Sequence, residues 1–194
     1  MPTFDEGYYQ RFYKSKKTRV SSPEQVAHLC EGTVGMIRWF GGDVATVLDV
    51  GAGVGLWRDW FQAHVRGVKY RSTEISDYAC KAYGHEKRDI ATWRTKEKFD
   101  LVVCQGVLPY LSDRDAASAL ENLAAMTRGF LYLEAITRRD LDDVCDRDLT
   151  DVHVHERPGS FYLTRLDRYF TRLGCGLFYK KEGPLLFYEL ESLV

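Results

Sequence analysis

The chain has 194 residues, 45% hydrophobic and 28% charged, the composition of a globular domain large enough for a real core. Its formal net charge is −1, with 27 Lys and Arg against 28 Asp and Glu, so no general field draws in nucleic acid or an anionic membrane. The five cysteines are odd in number and form no C-x-x-C pair, which argues against a disulfide framework or a zinc knuckle, and no metal is expected.

No apolar run approaches the roughly 18 residues a membrane span needs. The opening Met-Pro-Thr-Phe-Asp-Glu has neither the basic region nor the apolar core of a secretory signal, and a cytoplasmic location is expected. Residues 1–22 are aromatic and basic (Tyr8, Tyr9, Phe12, Tyr13, then Lys14, Lys16, Lys17, Arg19). They read as a helical arm on the domain, or as a flap whose rings close over a ligand while Arg19 forks onto a carboxylate. Ser22-Pro23 opens a helix, with Gln25 at the capping-box position, and Gly41-Gly42 stops it.

Strand one is expected at 46–50 and a helix at about 54–65. Between them lies Asp49-Val-Gly51-Ala52-Gly53-Val-Gly55, a buried strand ending in a bare-backbone turn. A strand over 69–74 follows, then a helix over 77–83 capped by Ser76 and a short strand near 85–88 closed by Asp89. A fourth strand spans 99–105, a helix about 113–127, and a fifth strand 129–134. That alternation predicts a parallel sheet with helices on both faces. Residues 137–160 are polar and aperiodic, read as a lid or binding loop. A helix over about 161–173 and two strands, 175–180 and 185–190, joined by Lys-Glu-Gly-Pro, are expected to close the chain with an antiparallel hairpin. We see no repeat or domain boundary. The expectation is one domain over 1–194: a helical cap or flap (1–44), a cofactor-binding core (45–136), the polar lid (137–160), and the C-terminal helix and hairpin (161–194).

The ligand of the glycine turn is narrowed by what surrounds it. A P-loop needs Lys-Ser/Thr after its last glycine, and Leu56-Trp57 stands there. A dinucleotide fingerprint needs its third glycine at position 56, which counts against NAD. S-adenosylmethionine needs only close backbone approach plus partners for its ribose and amino-acid ends. Glu74, 19 residues past Gly55, can accept ribose hydroxyls, and Asp89 can accept from an adenine amino group, with Trp93 near enough in sequence to stack.

Val47-Leu-Asp-Val-Gly-Ala-Gly-Val-Gly55, Thr73-Glu-Ile-Ser76, Arg88-Asp-Ile90 and Phe99-Asp-Leu-Val-Val-Cys-Gln-Gly-Val-Leu-Pro-Tyr-Leu111 together resemble the ordered motifs of class I S-adenosylmethionine-dependent methyltransferases, over roughly residues 45–135. The resemblance implies an α/β, Rossmann-like three-layer sandwich with a seven-stranded, mostly parallel sheet and a C-terminal antiparallel hairpin. It implies a cofactor held by Asp49, Gly51, Ala52, Gly53, Gly55, Trp57, Glu74, Ile75, Asp89, Ile90, Gln105, Gly106, Val107 and Tyr110, with Tyr13 and Arg19 joining from the arm. It also implies S-adenosylhomocysteine as product. Methyltransferases acting on base amino groups often carry Asn/Asp-Pro-Pro-Tyr/Phe after strand four. Gln105-Gly-Val-Leu-Pro-Tyr110 departs from that and resembles the small-molecule branch.

A small-molecule or peptide acceptor is therefore expected, methylated on O or N by in-line displacement, in a monomer or homodimer with no nucleic-acid or membrane partner. Base candidates are Glu134, at the end of strand five, and His153 and His155 in the lid. Asp151-x-His153-x-His155 lacks a third well-placed metal ligand. His28, His64 and His85 read as surface or packing residues. An NAD-dependent oxidoreductase and a non-catalytic binding module of the same fold remain alternatives.

Overall fold

The computed structural model describes residues 3–193, so the first two residues of the expected arm and Val194 lie outside it. Seven strands form one sheet in the order β3-β2-β1-β4-β5-β7-β6. They are β1 (Thr46–Val50), β2 (Lys69–Glu74), β3 (Glu86–Lys87), β4 (Phe99–Gln105), β5 (Thr127–Glu134), β6 (Phe170–Gly174) and β7 (Leu177–Lys180). β1 to β5 run parallel, and β7 pairs antiparallel with both β5 and β6. The strand order reverses between β1 and β4, which opens a crevice at their carboxyl ends where an open α/β sheet places its ligand.

The alternation of side chains divides the core in two. Val47, Leu101, Val103, Phe130 and Tyr132 pack beneath α2 (Pro23–Trp39) and α3 (Leu56–His64). Leu48, Val50, Val102, Cys104, Leu131 and Leu133 pack beneath α5 (Asp113–Met126) and α7 (Gly159–Leu166). This is the expected three-layer, Rossmann-like arrangement. The cap of α2 forms as read: the Ser22 hydroxyl accepts from Gln25 N–H at 3.1 Å and Gln25 Oε1 accepts from Ser22 N–H at 2.7 Å. The arm is a short helix, α1 (Glu6–Tyr9), continued by a π-helical turn over Gln10–Lys14. Helix α4 (Asp77–Tyr83) starts on Ser76. No helix among the described residues is long and apolar enough to cross a membrane.

Two expectations are corrected. The helix expected over 161–173 ends at Leu166, and Phe170–Gly174 is a strand, so the terminal hairpin is β6–β7 and 185–190 form no strand. Cys175 (φ 49°) and Gly176 (φ 76°) make a two-residue turn with both central residues left-handed, the geometry that matches strand twist. Cys-Gly is not a recognisable turn pair, whereas Lys-Glu-Gly-Pro is, and the hairpin was therefore placed one element too late. The polar loop also holds a helix, α6 (Arg138–Asp143), started by a Thr137/Asp140 capping box.

Candidate active site

β1 delivers the glycine turn to the crevice. Gly51 adopts φ 72°, and a Cβ there would sit 2.1 Å from Val107 Cγ2, so the segment after β4 leans directly on bare backbone. Gly53 adopts φ 57°, and a Cβ would lie 3.3 Å from the Tyr13 ring. Gly55, also at positive φ, caps α3. The turn is held from below. Gly51 and Ala52 N–H donate to Thr73 O at 2.9 and 3.1 Å, and Gly53 N–H donates to Glu74 Oε2 at 3.0 Å. His85, read from sequence as a packing residue, is buried under the turn between Gly53 O at 3.1 Å and Ser72 Oγ at 2.8 Å. Burial lowers its pKa, and because a carbonyl can only accept, the neutral ring carries its proton on Nε2.

Glu74 is buried, yet its carboxylate is well supplied with donors. Oε1 accepts Ile75 N–H at 2.7 Å and Ser76 N–H at 3.2 Å, while Oε2 takes only Gly53 N–H and keeps a lone pair for a ligand. Beside it, Asp89 Oδ1 accepts Ala91 N–H at 2.9 Å, and Ile90 offers a buried apolar face. Trp93 lies outside both cavities, with the Arg71 and Arg88 guanidinium groups 5.2 and 5.7 Å from its ring centroid.

At the other wall, Trp57 Nε1 donates to Gln105 Oε1 at 2.8 Å, Gln105 Nε2 donates to Glu134 Oε2 at 3.2 Å, and Tyr132 OH donates to the same oxygen at 3.1 Å. That chain fixes Gln105 and aims Glu134, which is otherwise exposed. Asp49, under the turn, accepts from Tyr70 OH at 2.8 Å. Burial pushes its carboxyl up to about 7, with the Tyr70 bond opposing and Glu74 adding to the rise.

Arm and lid close the crevice. Tyr8 and Tyr110 share a hydrogen bond at 2.9 Å, and Tyr110 OH donates to Asp151 Oδ2 at 3.1 Å. Phe4 packs edge-on against both rings. Burial pushes Tyr8 up to about 12 and raises Tyr13 and Tyr110 as well, so all three are neutral phenols. The cleft comprises two cavities of about 150 and 160 Å³ that share Tyr8, Tyr13, Gly51, Gln105, Gly106 and Tyr110. The first takes Asp49, Ala52, Gly53, Trp57, Glu134 and Asp151; the second takes Glu74, Ile75, Asp89, Ile90 and Val107.

Three candidates stand apart. Arg19 lines neither cavity and makes no ion pair among the described residues. His153 and His155 are exposed, while Val154, at a bend between them, lines the first cavity. His153 reaches the cavity only through Asp151, whose Oδ1 lies 3.1 Å from its Nδ1. His155 contributes its backbone N–H to Pro109 O at 2.8 Å. Arg157, unremarked in the sequence, is buried and binds Asp113 Oδ1 at 2.8 Å, Leu108 O at 3.0 Å and Leu111 O, pinning the turn that carries Tyr110. An arginine two residues past a paired-histidine loop carries no pattern that could have flagged it.

Comparison with known proteins agrees with this geometry. A family model described as a methyltransferase domain matches residues 48–128, from β1 into β5. By sequence alone the chain matches no curated protein. Among solved structures, magnesium protoporphyrin IX methyltransferase from Synechocystis PCC 6803 with bound S-adenosylhomocysteine is 18% identical, with a TM-score of 0.58 over 92% of this chain and 96% of that one. DesVI from Streptomyces venezuelae is 14% identical (TM-score 0.56; 81% and 89% covered). The plantazolicin methyltransferase BamL is 13% identical (TM-score 0.60; 84% and 70% covered). The solved structures share this chain's fold, and the domain model covers the segment that carries the glycine turn, Glu74, Asp89 and Gln105.

Proposed function

We propose that the cleft holds S-adenosylmethionine across both cavities and presents its methyl to an oxygen or nitrogen nucleophile of a small molecule or peptide. The observation that carries this is the glycine turn: Gly51, Gly53 and Gly55 bring bare backbone at positive φ to the cleft, and Glu74 is locked beside them with a lone pair to spare. The absence of any phosphate-binding lysine on the turn suits a cofactor without phosphate. In this reading Glu74 accepts a ribose hydroxyl, Asp89 the adenine amino group, and Ile75, Ile90 and Val107 the ring faces. Asp49, Ala52, Trp57, Gln105 and Gly106 hold the methionine end, and Tyr13 closes over it. Gly55 shapes the start of α3, and Arg19 has a part only if the arm shifts.

Bound there, the cofactor supplies a methyl made electrophilic by its sulfonium. The protein contributes position and exclusion of water: Tyr8, Tyr13 and Tyr110 form the roof, and the Trp57–Gln105–Glu134 chain fixes the wall. Glu134 is the base candidate that lines the cavity. His153 acts only by way of Asp151, and His155 has no path to the site except through the backbone. The whole chain works as one domain with arm and lid as its moving parts. Titration with S-adenosylhomocysteine tests the reading: one molecule bound per chain supports it, and no binding refutes it.

A further inference from the structure

The first cavity has an uneven charge. Three carboxylates line it, Asp49, Glu134 and Asp151, and among the described residues no Lys, Arg or His does. The rest of the wall is mostly apolar and includes five aromatic rings, Tyr8, Phe12, Tyr13, Trp57 and Tyr110. Aromatic faces and carboxylates together make an environment for cations and repel anions. S-adenosylmethionine brings two positive charges and one negative, a net of one, which offsets one carboxylate. Burial pushes Asp49 up to about 7, so it too can be neutral. One carboxylate is still left without a cation.

Position identifies it. Asp49 lies under the glycine turn and Glu134 is engaged by Gln105 and Tyr132, both on the cofactor side. Asp151 comes from the lid, is nearly buried, and meets the cavity through Tyr110 OH at 3.1 Å, which in turn meets Tyr8 OH at 2.9 Å. Its other oxygen contacts His153, whose side chain is 83% exposed, so the carboxylate joins the cavity to solvent.

Resting on the cofactor reading above, we infer that the acceptor is a cationic amine with an apolar body, held by Asp151 together with the Tyr8 and Tyr110 hydroxyls. The ammonium gives a proton to Asp151, which passes it by way of His153 to water. The freed nitrogen lone pair then forms the new C–N bond as the C–S bond breaks, its electron pair going to sulfur and discharging the sulfonium. The methylated ammonium leaves with the positive charge.

The test is equilibrium binding to protein saturated with S-adenosylhomocysteine, using matched probes: phenethylamine against hydrocinnamate, and cyclohexylamine against cyclohexanecarboxylate. Each amine is expected to bind at least about tenfold tighter than its carboxylate partner, the worth of one charge-assisted hydrogen bond. Asp151→Asn should remove most of that preference, and Tyr110→Phe, which deletes one hydroxyl and spares the lid, should reduce it. Unchanged circular dichroism and melting temperature report that both variants are folded. Equal or tighter carboxylate binding, no amine binding, or full preference in Asp151→Asn overturns the inference. Failure of S-adenosylhomocysteine itself to bind instead overturns the cofactor reading on which it stands.

Discussion

Gly51→Ala separates the role of the glycine turn from ordinary stability. Two costs follow from the geometry. The backbone at φ 72° disfavours any L side chain by about 1–2 kcal/mol. The new Cβ, 2.1 Å from Val107 Cγ2, must also push that side chain aside, for roughly 1 kcal/mol more. The sum, about 2–3 kcal/mol, should lower Tm by about 5–10 °C in a chain of this size. Val107 lines the second cavity, so the displacement also takes space from the cofactor, and a loss of about tenfold or more in S-adenosylhomocysteine affinity is expected. Gly67→Ala is the control: its φ is 76° but nothing lies within 4 Å of the added carbon. It should pay only the backbone cost and bind the ligand as wild type does. Differential scanning calorimetry and isothermal titration read both variants. Equal ligand affinity in Gly51→Ala and wild type, or an equal loss in Gly67→Ala, would refute the reasoning.

Asp49 and Arg157 give two further tests. With its carboxyl raised from 3.8 to about 7 by burial, Asp49 stays protonated in the fold while the unfolded chain ionises, so its contribution is full below about pH 4 and is lost as pH rises through 7. Urea unfolding should show Asp49→Asn lacking a decline of about 4 kcal/mol across that window, and parallel pH curves for the two proteins would contradict it. Arg157→Met keeps the buried stem but strips Leu108 and Leu111 of their partner, and should cost about 3 kcal/mol, seen as a Tm lower by about 6–12 °C. A change under about 1 kcal/mol would mean that water replaces the guanidinium without loss.

The core and the glycine-turn end of the cleft were legible because local chemistry dictates them. Buried parallel strands read as apolar runs, and β1 and β4 fall where Thr46 and Phe99 begin such runs. Glycines that must take positive φ stand in the sequence as glycines, and the acid at the end of β2 faces the turn because parallel register puts it there. The roof of the cleft was not legible because distant segments build it. Tyr8, Tyr110 and Asp151 meet across intervals of 102 and 41 residues, and no local period records that. The lid histidines drew attention by their chemistry, yet both side chains are exposed, while Asp151, two residues before His153, is buried against the cleft. Phe170–Gly174 misled for a related reason: Phe170 and Leu173 fit a helical spacing, and the strand exists only because β7 pairs with it.

The central claim is that Glu74 and the glycine turn hold S-adenosylmethionine, and titrating S-adenosylhomocysteine into wild type and Glu74→Gln tests it most directly. The amide keeps the size of the carboxylate but must turn an NH₂ toward either Gly53 N–H or Ile75 N–H, and it has one fewer acceptor for ribose. Wild type should bind one molecule per chain, and the variant, still folded by circular dichroism, should bind at least about tenfold more weakly. No binding to wild type, or the same affinity in both, would contradict the account.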